Sequence, residues 1–136
     1  MADTTVRSRS ESYVSSPSYQ AYQILRIGYI VLPFLAGLDK FFHALVNWDV
    51  YLAPAVTNLL GVSAHRFMLA VGVVEVLASF LVAIAPRIGG WVVGVWLCGV
   101  VFNLLIGNYF DVALRDAGLA LGAFALARVS VDYSEV

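Results

Sequence analysis

Cysteine occurs once in this chain of 136 residues, histidine twice, and charged residues make up only 12% of it. Each shortage narrows what the chain can be. A lone thiol, Cys98, allows neither an intrachain disulfide nor a C-x-x-C redox pair, and its place in the apolar run 91–106 reads as a small buried hydrophobe. Eight basic residues against nine acidic ones leave a net charge of −1, too little field to gather nucleic acid, which is not expected as a partner. No phosphate loop, metalloprotease helix or nucleophile elbow is present, and no metal site is expected. A cleavable leader is not expected either, because the first apolar run begins after about twenty polar residues and is too long for an h-region.

What is present is apolar. Hydrophobic residues account for 61% of the chain, and its mean hydropathy is +0.85, a membrane composition. The runs predict four helices over about 22–48, 64–85, 89–108 and 111–129, each long enough for a hydrocarbon core of ~30 Å at ~1.5 Å per residue. The expected fold class is therefore all-α, a four-helix transmembrane bundle forming one domain over 21–130. Residues 1–20, rich in Ser and Thr, are expected to be a polar tail that stays disordered unless a partner holds it, and 131–136 a second polar tail. The connector 49–63, broken by Pro54 and Gly61, is expected to lie on the membrane surface, and Ser63 to cap the second helix. Pro86-Arg87 is read as the stop of that helix and a tight turn. Gly90-x-x-x-Gly94 and Gly118-x-x-x-Gly122 are spaced for close helix contact.

Four spans place both termini on one side, with Arg7, Arg9, Arg26, Arg87 and Arg128. Lys40, Arg66 and Arg115 fall on the other. This bias predicts cytoplasmic termini in a multi-pass protein of the inner (cytoplasmic) membrane. Arg26 is expected to snorkel to the headgroups, with Tyr22 and Trp91 in the inner aromatic belt and Trp48 and Tyr109 in the outer one.

Charges inside the apolar runs are the candidate site. One such charge costs on the order of 2.5–3.5 kcal/mol by the mildest insertion scales, so it persists only where something answers it. Counting residues from each span's midpoint puts Asp39, Lys40, Asn103, Arg115 and Asp116 at one level. Glu75 lies about a turn deeper and leans toward them. These six residues are expected to form one buried polar cluster, acting either as glue that locks helix register or as a quinone or proton site. His43 and His65 fall toward the same end, where they could ligate haem or a pigment. The plainer expectation is an ordinary interfacial pair, with His43 bonded to the Asp39 carboxylate one turn before it.

Gly37-x-x-Lys40, Glu75 and the stretch Leu114-Arg115-Asp116-Ala117-Gly118-Leu119-Ala120-Leu121-Gly122 make the chain resemble the DoxX-like family of small four-helix membrane proteins, over about 22–130. The resemblance implies a membrane bundle associated with redox partners, among them quinol-oxidase or thiosulfate:quinone oxidoreductase assemblies and detoxifying enzymes. Cys98 alone departs from relatives that use cysteine pairs. Three functions are carried forward. The first is a non-catalytic subunit packing in the bilayer against other subunits of a larger electron-transport complex. The second is a quinone-linked oxidoreductase subunit, with quinone a possible cofactor that the residues do not require. The third, a small-solute transporter, is disfavoured because four helices leave little room for alternating access.

Overall fold

Helix α1 (Pro17–Phe42) begins where Ser16, in extended geometry, accepts the Tyr19 N–H at 3.3 Å. Pro17 follows in the first turn, where its missing N–H is no loss. The helix ends at His43, which turns left-handed (φ 52°, ψ 36°) while its N–H bonds the Asp39 carbonyl. The computed structural model describes residues 14–136. Of the expected polar tail, residues 1–13 lie outside the described residues, and 17–20 belong to α1. The expected first helix, 22–48, is thus displaced at both ends: the apolar run continues past Phe42, but the left-handed turn at His43 does not let the helix follow.

A 3-10 turn (Trp48–Tyr51) and a short helix α2 (Pro54–Leu60) make up the connector. Gly61, at φ 67°, stops α2 in a conformation that costs glycine little. Helix α3 (Ala64–Ile84) is capped as expected, Ser63 Oγ accepting the Arg66 N–H at 3.3 Å. Ala85 alone separates it from α4 (Pro86–Ile106), so Pro86 opens the next helix rather than closing the last. Helix α5 (Phe110–Val129) completes the set, and a 3-10 turn (Ser130–Asp132) follows. No strand occurs among the described residues.

Among the described residues, three helices, α1, α3 and α4, are long and apolar enough to cross a membrane. Helix α5 has the length, but Asp111, Arg115, Asp116 and Arg128 dilute its hydropathy. The most extensive packing is α1 along α3 and α4 along α5; α3 also meets α4, and α5 returns to α1, closing a ring. Two backbone approaches set these crossings. A Cβ on Gly72 would stand 2.8 Å from the Gly37 carbonyl, and one on Gly90 would stand 2.7 Å from the Ala127 nitrogen, so only glycine lets α1 touch α3 and α4 touch α5 there. The spacing in α5 is used only in half. Gly122 receives the Tyr29 hydroxyl, whereas Gly118 faces open space.

The apolar core, Tyr22, Tyr29, Val82, Val93, Ala123 and Leu126, fills the half of the ring near the termini. Tyr22, expected in an aromatic belt, is buried and stacks on Tyr133 at 5.3 Å, and the Val136 carbonyl accepts the Ile88 N–H at 3.0 Å. The closing residues are therefore docked on the bundle. Arg26 does not reach outward either, since its Nη2 donates to the Ala83 carbonyl at 2.5 Å in the last turn of α3. Outside, every long helix shows large aliphatics: Ile24, Leu77, Val95 and Leu121 are each more than 60% exposed. Soluble monomers rarely present such continuous apolar surface. Cys98 also faces outward, contrary to the burial expected of it.

Candidate functional site

Asp39 and Lys40 lie in the last turn of α1. Neighbouring helix positions point about 100° apart, so adjacent charges need separate partners. Lys40 projects across to α3, where its Nζ donates to Glu75 Oε2 at 2.6 Å; the lysine is 3% exposed and the Glu75 side chain 16%. The same ammonium sits 3.9 Å from the centre of the Trp48 ring, a cation–π contact worth about 0.5–2 kcal/mol.

Among the described residues, Asp39 is answered without a cation. The turn at His43 folds the following residues back over the helix end, so that Oδ1 accepts the N–H groups of Ala44 (2.8 Å) and Leu45 (2.9 Å). Oδ2 accepts the Trp48 indole N–H at 2.6 Å. Trp48 thus serves both residues, its edge donating to Asp39 and its face covering Lys40. Position alone places Trp48 in an outer aromatic belt; its role as lid depends on the turn at His43.

The six expected cluster members therefore separate. Lys40 and Glu75 form the centre, and Asp39 adjoins them through Trp48. Asp116 is buried on α5 and stands close enough to Glu75 for their charges to interact. Arg115, whose side chain is 62% exposed, points away and, among the described residues, bonds only its neighbour, Nε to Asp116 Oδ1 at 3.1 Å. It does not meet the α1 carboxylate. Asn103 has another task. Its Oδ1 accepts the Ala53 N–H and its Nδ2 donates to the Tyr51 carbonyl, both at 2.9 Å. Together with Tyr109, whose hydroxyl donates to the Val50 carbonyl at 2.8 Å, it pins the connector onto the end of the ring.

Trp96 on α4, unnoticed in the sequence, stands beside Glu75. Its buried indole N–H is outside hydrogen-bonding geometry with the described residues. On the outer side of the same helix Trp91, Val92, Val95, Trp96 and Gly99 line an open hollow of about 520 Å³.

The histidines are brought together, but not as expected. Their ring centres lie 5.5 Å apart with the planes at 26°, closer than two imidazoles ligating opposite faces of a porphyrin would stand. The His43 ring does not bond the Asp39 carboxylate, which is occupied by Ala44, Leu45 and Trp48. His65 Nδ1 instead lies 3.1 Å from Asp49 Oδ2 in the connector. Comparison with known protein families, with curated proteins and with solved structures finds no match for this chain.

Proposed function

We propose that the chain is a small integral membrane subunit of the DoxX-like kind, its four long helices crossing the inner membrane as a bundle with both termini in the cytoplasm. In this reading it packs against other subunits of a larger complex of electron transport. The observation that carries it is the contrast between inside and outside. The polar centre is closed on itself, Lys40 on Glu75 and Asp39 on three N–H donors, as suits a lock on helix register. The outer faces are aliphatic and notched by Gly28, Gly99 and Gly118, at each of which a Cβ would meet nothing within 4 Å. Glycine within a helix costs roughly 1 kcal/mol relative to alanine, and a close-packed neighbouring helix is what such notches admit in a bilayer.

The test is recovery of the intact chain from native membranes in a gentle detergent. Stoichiometric membrane partners are expected, and Gly99→Leu is expected to release them while the purified chain stays folded. Recovery of a monodisperse chain alone, unaffected by Gly99→Leu, refutes the subunit reading. One observation supports the quinone-linked alternative: the hollow beside Trp96 lies on the helix whose indole adjoins Glu75. Quinone that copurifies with the isolated chain and is lost in Glu75→Gln would favour it.

A further inference from the structure

His43, Asp49 and His65 come from the end of α1, the connector and the first turn of α3, and one donor atom of each lies within 4.8 Å of the other two. We propose that they form a binding site for one divalent first-row transition-metal ion, of the Zn²⁺ class, at the connector end of the bundle. Two imidazoles and one carboxylate are the donor set that suits such an ion, and three protein ligands leave a position for water or a small anion.

The ring spacing suits one ion shared by both imidazoles. With Zn–N about 2.0–2.1 Å and tetrahedral angles, two imidazole centres on one ion stand roughly 5 Å apart, close to the 5.5 Å seen here. Opposed ligation across a haem would separate them further and set the rings edge to edge. Two polar atoms of this cluster, His43 Nδ1 and Asp49 Oδ1, are shielded from solvent and have no hydrogen-bond partner among the described residues. Buried polar atoms are otherwise nearly always satisfied. Asp49 Oδ2 already lies 3.1 Å from His65 Nδ1, so two of the three donors are in contact before an ion binds. His43 holds a left-handed backbone that few non-glycine residues adopt, and that backbone brings its ring over the start of α3. Access is open on the His65 side, where the side chain is 53% exposed. The donor atoms stand up to 4.8 Å apart, so binding must draw them in by up to about 1.5 Å to tetrahedral spacing. Bound ion would then fasten the connector to both helices. This site stands independently of the subunit reading, because it uses neither the glycine faces nor Glu75.

The experiment uses the full chain in detergent, without a histidine tag, stripped by a chelator and dialysed. Titration with Zn²⁺ is expected to show about one ion per chain at micromolar or tighter affinity, with a rise in melting temperature. His43→Gln, His65→Gln and Asp49→Asn are each expected to weaken binding at least tenfold. The untouched chain gives a second readout that does not depend on variants folding. The protein has only two histidines, so the electron paramagnetic resonance of bound Cu²⁺ is expected to show two coupled imidazole nitrogens. Absence of stoichiometric binding, fewer than two coupled nitrogens, or affinity unchanged in folded His43→Gln and His65→Gln overturns the proposal.

Discussion

Removing Lys40 leaves Glu75 facing the space its partner filled, 2.6 Å away, in a side chain only 16% exposed. Breaking a buried pair from one side costs about 3–5 kcal/mol, because the remaining charge is neither solvated nor answered. Lys40→Met also surrenders the ammonium over the Trp48 ring, about 0.5–2 kcal/mol more. For a chain of this size each kcal/mol moves the melting temperature by roughly 3–5 °C, so Lys40→Met should lower it by on the order of 10 °C or more. Replacing both partners, Lys40→Met with Glu75→Leu, removes the unanswered charge and should recover most of that loss. The assay is thermal unfolding in detergent followed by helical circular dichroism, run as a double-mutant cycle with Glu75→Leu alone. A coupling of about 2 kcal/mol or more is expected. Single variants that lose less than about 1 kcal/mol, or a double variant equal to the sum of the singles, would show that the pair contributes little to holding α1 on α3.

Gly72→Val should destabilise by about 1–3 kcal/mol in the same melt, since its Cβ meets the Gly37 carbonyl at 2.8 Å; Gly99→Ala, into open space, should be neutral or stabilising by up to ~1 kcal/mol in the purified chain. Asn103→Leu removes both ties to Tyr51 and Ala53 and should cost about 1–3 kcal/mol; limited proteolysis should then cut within 48–60, and an unchanged cleavage pattern contradicts the pinning role. Arg115→Gln takes from the buried Asp116 the Nε donor that answers it and should cost about 1–3 kcal/mol; a change below about 0.5 kcal/mol would mean that the pair counts only as a surface contact.

Much of the fold is written in local signals. Ser63 caps α3 and Pro86 marks the boundary of α4 wherever the rest of the chain lies. The start of α1 carries the same kind of signal in Ser16-Pro17, but the polar residues around it outweigh it in a reading by composition. Counting residues along the helices puts Lys40 within reach of Glu75, and the two side chains do meet. Rotation about the helix axis was not legible. Arg115 and Asp116 are neighbours and cannot both face inward, and helices that carry apolar residues all round give no stripe from which to choose. Asp49 was invisible for a different reason: its position depends on where the connector docks, which Asn103 and Tyr109 decide from the far end of the chain.

The two charges at the end of α1 also differ in when they can be answered during synthesis. Asp39 finds all its donors within the next nine residues, so it is settled as soon as Trp48 leaves the ribosome. Lys40 must wait for Glu75, thirty-five residues later. With α1 and α3 spanning a bilayer as proposed, a chain made in this order would hold an unmatched ammonium until the second long segment arrives, which would favour release of the two helices from the insertion machinery as a pair.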